Sequence, residues 1–142
     1  MVKAKVLFLC THNTARSQMA EAFLKQFAGD RFEVFSAGFE SRDINPFTRQ
    51  VMAEVGFDLG GQYSKGVKEY LGKINFAYVI IVCSSAEKNC PTAFPSILQQ
   101  RLFWPFEDPV AFEGTDEAKL AKFREVRDKI AARLKLWLRE LD

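Results

Sequence analysis

The sequence predicts one α/β domain, a four-stranded parallel sheet with helices on both faces. Three observations predict it. Strand-like apolar runs alternate with helix-patterned segments, the order that produces parallel sheets with crossover helices. The strongest runs, at 6–9 and 76–83, are nearly uninterrupted by polar residues, as in strands buried on both faces. Finally, 142 residues, 48% of them hydrophobic and 14 of them Phe, are enough for one sizeable core. No repeat, low-complexity tract or linker interrupts the chain, so the domain is read as residues 1–142.

The first strand is read at 4–9, where Val6, Leu7, Phe8 and Leu9 run unbroken into Cys10. Over 17–28 the spacing turns helical: Met19, Phe23 and Phe27 recur every fourth residue, with Ala20 and Leu24 beside them. A strand follows at 32–36 and a helix at about 46–55. The stretch FAYVIIVC at 76–83 reads as the most buried strand and ends on Cys83. A shorter apolar run follows at 101–106, whose LFWPF is expected to pack in the core and its walls. The closing helix is read at 116–140, with Leu120, Phe123, Val126, Ile130, Leu134 and Trp137 at helical spacing. In such sheets ligands bind beyond the carboxyl ends of the strands, near the topological switch point. Cys10, Ser36 and Cys83 each stand at a predicted carboxyl end, so three distant positions are expected to meet on one rim.

Composition excludes several classes of function. The formal net charge is +2, with no basic stripe and no interleaved aromatics, so no nucleic-acid partner is expected. No stretch reaches the length of a membrane span, and MVKAKVLFLC lacks the apolar length and cleavage site of a secretory signal. A cytoplasmic monomer is expected. There thiols stay reduced, so the three cysteines read as reactive or inert thiols rather than structural staples. With one histidine, His12, and no C-x-x-C pair, no metal site is predicted.

Between the first strand and the first helix lies CTHNTARS, residues 10–17. A loop feeding a helix N-terminus gathers backbone N–H groups into one concavity, which suits a tetrahedral oxyanion. Thr11, His12, Asn13, Thr14 and Ala15 would supply amides, and Arg16 a planar fork for two oxygens. The same field favours a thiolate at Cys10, and Ser17 is placed to donate a hydroxyl to its sulfur. Anion and nucleophile would then be held in line. Asn13 suits a left-handed turn position, and His12 is read as shaping the loop rather than as a base.

These residues carry a resemblance. CTHNTARS resembles the phosphate-binding loop, C-x5-R-S, of the low-molecular-weight protein tyrosine phosphatase superfamily. The QMAEAF that follows resembles, more narrowly, the thioredoxin-coupled arsenate reductases that share that fold. The similarity continues in order through SAG (36–38), NP (45–46), VCSSAEKNCP (82–91), FEDP (106–109) and REVRDKI (124–130). It implies Asp108, alone only a turn signal before Pro109, as the acid near the anion. Val110 and Ala111 stand where the phosphatases commonly carry tyrosines, which weakens a phosphatase reading.

A phosphatase needs one cysteine, whereas a reductase needs a destination for two electrons. A Cys83 that reaches the rim can attack Cys10 once that sulfur carries oxidised substrate, and the polar SSAEKN segment before Cys90 suits movement. The resemblance implies the order: Cys10 attacks arsenate, Cys83 displaces arsenite, Cys90 takes over the disulfide, and thioredoxin supplies the electrons, with no bound cofactor. It also implies a potassium ion near Asn13, Glu21 and Ser36, except that Lys65 stands where some relatives complete that site with a carboxylate. Ala15 replaces a further cysteine of some relatives, and the relay does not need it. The competing expectations are a phosphatase using Cys10, Arg16 and Asp108 alone, and a catalytically silent oxyanion-binding or redox-sensing module.

Overall fold

The computed structural model describes residues 3–70, 73–83 and 100–142. Four strands, β1 (Ala4–Cys10), β2 (Phe32–Gly38), β3 (Tyr78–Ile81) and β4 (Gln100–Phe103), form one parallel sheet in the order β2-β1-β3-β4. The chain leaves β1 toward β2 on one side and β3 on the other, so the switch point lies at β1. Val6, Leu7, Phe8 and Leu9 are all 0% exposed; since consecutive side chains point to opposite faces, both faces of this strand are covered.

Among the described residues three α-helices accompany the sheet: α1 (Arg16–Ala28), α2 (Pro46–Glu54) and α3 (Asp116–Leu141). Phe32 stacks on Trp137 of α3, and Ser36, on the same face of β2, bonds to Glu21 of α1. Phe35, on the other face, meets Tyr70 and Phe76, so that face is covered by the segment that includes the 3-10 turn Val67–Glu69. The helix starts follow from side chains. Asn45 Oδ1 accepts the Phe47 N–H at 2.9 Å and Pro46 opens α2, while Thr115 Oγ1 accepts the Ala118 N–H at 3.1 Å. α2 stops before Gly56, whose φ of +89° turns the chain back.

Sequence and structure differ mainly at the ends of elements. β2 runs to Gly38, so Ser36 lies inside the strand rather than at its end. β3 stops at Ile81, leaving Cys83 just past the ladder, and the 101–106 run yields a short edge strand. In LFWPF, Trp104 is buried against Trp137, but Phe103, at the end of the edge strand, is exposed. No described helix is long and apolar enough to cross a membrane.

Two arginines of α3 tie down α2. Arg124 grips Glu54 with Nε–Oε1 at 2.9 Å and Nη2–Oε2 at 2.6 Å, and Arg127 Nη1 reaches Glu54 Oε1 at 3.0 Å and Val51 O at 2.9 Å. The Arg124 hydrogen bond leads in holding the Glu54 carboxyl down at about 2, from 4.5. A carboxyl depressed on folding stabilises the fold above its unfolded value and loses that contribution as pH falls through its folded one. Glu54→Gln is therefore expected to melt below wild type at pH 7, with the gap closing between pH 4.5 and 2; thermal melts across that range check it.

Candidate active site

Cys10 ends β1 at the switch point and is 2% exposed. The following turn owes its shape to where its carbonyls go. Cys10 O accepts from Phe39 N at 3.1 Å, Thr11 O from Glu40 N at 3.1 Å, and His12 O from Arg42 N at 3.3 Å. Thr14 O accepts from Asn45 N at 3.1 Å and from Thr48 Oγ1 at 2.9 Å, and Asn13 O from Gln18 Nε2 at 3.1 Å. A trans peptide points its N–H opposite to its C=O. Five outward carbonyls thus turn the amides of Thr11, His12, Asn13, Thr14 and Ala15 inward. The Asn13 N–H shows this directly, lying 3.0 Å from Cys10 Sγ. α1 then begins with no side-chain cap at Ala15, so the positive end of its dipole faces the same concavity.

The polarity of the bonds behind the sulfur is fixed from a distance. Asn13, at φ +58°, accepts the Lys65 backbone N–H on Oδ1 at 2.9 Å. Its Nδ2 therefore donates, to Ser17 Oγ at 2.7 Å and Ser36 Oγ at 3.0 Å. Ser36 passes its own hydrogen to Glu21. Ser17, which accepts from Asn13, keeps its own hydrogen available for Cys10 Sγ, 2.8 Å away, when the sulfur is a thiolate and can only accept. Each of these side chains is buried. The network thus delivers donors to the sulfur, an arrangement suited to a thiolate.

A small concavity opens in front of Cys10, lined by His12, Thr14, Ala15, Arg16, Asp108 and Val110. Arg16, 3% exposed, is aimed by Nη1 donating to Phe106 O at 3.0 Å, and its Nη2 lies 3.7 Å from Asp108 Oδ2. Asp108 Oδ1 accepts the Val110 N–H at 3.0 Å, capping the 3-10 turn Pro109–Ala111 and leaving Oδ2 toward the arginine. The residues expected from sequence thus meet: Cys10, the amides of 11–15, Arg16 and Asp108 in front, with Asn13, Ser17, Glu21 and Ser36 behind.

Cys83 is fully buried just beyond β3, the strand paired with β1, where the Val82 N–H bonds Leu9 O at 2.9 Å. It is disulfide-bonded, whereas Cys10 is free. Cys90 and the SSAEKN segment lie outside the described residues.

Glu21, Ser36 and Asn13 do not fit potassium. Glu21 Oε1 takes the Ser36 hydroxyl and lies 3.5 Å from Lys65 Nζ, and its Oε2 is 2.5 Å from Lys25 Nζ. Asn13 Oδ1 already receives Lys65 N and Gln18 Nε2. Burial pushes the Lys65 amine down and the Glu21 charge opposes that shift. An ammonium of the chain itself stands beside the carboxylate. Among the described residues no group of three or more His, Cys, Asp or Glu is placed to hold a metal.

Sequence reasoning missed Gln18, the backbone carbonyl of Phe106 that aims Arg16, and the role of residues 39–48 in holding the turn. QMAEAF marked Gln18 only as family pattern, and carbonyl partners leave no side-chain signature.

A buried cysteine at the switch point of a parallel sheet, ringed by inward amides and faced by an arginine and an aspartate, marks an α/β protein whose site is suited to a tetrahedral anion beside a sulfur. Residues 5–142 match the low molecular weight phosphotyrosine protein phosphatase family, and the chain belongs to it. It is 44% identical over 136 residues to an arsenate reductase of Halalkalibacterium halodurans, covering 95% of each chain. It is 42% identical over 130 residues to an arsenate reductase of Bacillus subtilis, covering 92% of this chain and 91% of that one. The fold is similar to a solved arsenate reductase in the phosphate binding state, with a TM-score of 0.79, 31% identity, and coverage of 98% and 99%.

Proposed function

We propose that this enzyme reduces arsenate to arsenite through three cysteines, with Cys10 as nucleophile, Cys83 and then Cys90 as resolving thiols, and thioredoxin as the reductant. The observation that carries the reading is a free Cys10 in an anion-binding turn with a disulfide-bonded Cys83 beyond the neighbouring strand. A hydrolase acting through Cys10, Arg16 and Asp108 has no use for the second sulfur. The arsenate reductases among its relatives support the same choice, and the phosphate-binding state of a similar structure supports a tetrahedral oxyanion as ligand.

In this reading the amides of 11–15 and the Arg16 fork hold arsenate with arsenic in line with the Cys10 sulfur. Cys10 forms an S–As bond, one As–O bond breaks, and Asp108 gives the proton that lets that oxygen leave as water. The Cys83 thiolate then attacks Cys10 Sγ. An S–S bond forms, the S–As bond breaks, and its electron pair stays on arsenic, which departs as arsenite. Cys90 attacks Cys83 Sγ and returns Cys10 as thiolate, and a thioredoxin dithiol reduces the Cys83–Cys90 disulfide. Two electrons thus enter for each arsenate reduced. Ser17 and Asn13 support the Cys10 thiolate, and Glu21 and Ser36 anchor them.

Arsenate-dependent NADPH oxidation in the presence of thioredoxin and thioredoxin reductase tests the reading. Turnover is expected in wild type and background rates in Cys83→Ser and Cys90→Ser. Ester hydrolysis by all three proteins without arsenate turnover would replace the reductase with a phosphatase. Turnover sustained by glutathione and glutaredoxin alone would keep the chemistry and change the donor.

A further inference from the structure

Four of the five carbonyls in the turn after Cys10 are held outward by backbone N–H groups of Phe39, Glu40, Arg42 and Asn45. Asn13 O meets a side chain instead, Gln18 Nε2 at 3.1 Å. Gln18 lies in the first turn of α1 and is 0% exposed. Its Nε2 is also 2.9 Å from Asn13 Oδ1 and 3.0 Å from Tyr63 O. At the other end, its Oε1 accepts from Gln62 Nε2 at 2.7 Å, and that nitrogen lies 3.2 Å from Gln18 O. Three oxygens around one end and an amide donor at the other leave the Gln18 side chain a single orientation.

We propose that Gln18, set by Gln62, is a positioning residue of the oxyanion site: it turns the Asn13–Thr14 peptide so that the Thr14 N–H faces the anion. The geometry gives this bond unusual leverage. Asn13 is the one described non-glycine residue with positive φ, so its backbone sits where side chains are sterically disfavoured and needs external support. Rotation of that one peptide would exchange an inward donor for a carbonyl oxygen facing a negative ligand. Gln18 also ties Asn13 Oδ1 to the strand of chain at 63–65, which brings the Lys65 N–H to the same oxygen. Its effect therefore falls on anion binding. The inference rests on the turn being an oxyanion site, and not on the redox steps that follow.

The rate at which iodoacetamide alkylates Cys10, followed on the Cys10 peptide by mass spectrometry, gives a dissociation constant for inorganic phosphate without turnover. Gln18→Met, similar in length but without donors, is expected to weaken phosphate about tenfold, the loss of the Thr14 N–H bond to a charged ligand. The arsenate KM should rise alongside it, with kcat less affected. Gln62→Ala, which frees the Gln18 amide to rotate, is expected to weaken phosphate in the same direction by a smaller factor. Equal protection of wild type and Gln18→Met overturns the proposal. If Gln18→Met does not fold, Gln62→Ala decides, and an unchanged phosphate constant there overturns it. Absence of phosphate protection in wild type would overturn the oxyanion reading itself, and this proposal with it.

Discussion

Arg16→Lys is expected to lower kcat/KM for arsenate by roughly 10²–10³, the usual effect of removing a donor aimed at transition-state charge, with the fold intact. The side chain is held firmly in place. It is 3% exposed, with Nη1 committed to Phe106 O at 3.0 Å, and Nη2 is 3.7 Å from Asp108. A guanidinium can keep one nitrogen on the protein and present the rest of its plane to two oxygens of an anion. A lysine ammonium has the charge without the fork, so it must choose between Phe106 O and the ligand. Steady-state kinetics with circular dichroism on both proteins check the prediction. A Lys variant within a factor of a few of wild type would mean that Arg16 contributes charge alone. Arg16→Met should be worse than Lys, because it leaves Asp108 near the anion without a neutralising partner.

How much of this was legible in the sequence depends on whether the information is local. The strand into Cys10, the turn, and the start of α1 lie within one stretch, where apolar run, polar loop and helical spacing succeed one another. Cys10, Arg16 and the amide-rich turn could therefore be read together. Asn13 was legible for the same reason, since few residues other than glycine accept its φ of +58°. Asp108 was not legible from chemistry alone. Its place opposite Arg16 is set by the Phe106 carbonyl and the capped turn at Pro109–Ala111, ninety residues from the loop in sequence. Glu21 and Ser36 look like a helix carboxylate and a strand serine until α1 crosses β2 and brings them together. Gln18 gave no signal beyond family pattern, because its partners are two carbonyls, one side-chain oxygen and another glutamine. Residue patterns record side chains that change polarity along one element. They do not record which carbonyl a buried amide will meet across the fold.

Gly38→Ala is the second large effect expected, and its cause is space rather than backbone conformation. Gly38 pairs with Cys10 in the β1–β2 register, and its N–H bonds Lys65 O at 2.8 Å. A Cβ there would lie 2.6 Å from Glu40 O and 2.7 Å from both Asn13 N and His12 C. All three are backbone atoms, so no side chain can rotate away. The chain at 39–42 would have to separate from the turn, and with it the bonds from Phe39, Glu40 and Arg42 that hold the carbonyls of Cys10, Thr11 and His12 outward. The overpacking should cost about 1–3 kcal/mol of stability. Misplacing the turn by even an ångström should cost about 10² in turnover. Gly66, which bridges to Gly38, is the internal control: a Cβ there meets nothing within 4 Å, and its φ is −85°, so Gly66→Ala should be close to neutral. Urea unfolding and arsenate turnover for the two variants separate the cases. A Gly38→Ala protein as stable and active as Gly66→Ala would show that residues 38–42 can move off the turn without disturbing it. The outward carbonyls would then have to be held by Gln18, Asn45, Thr48 and the Ser64 hydroxyl on His12 O.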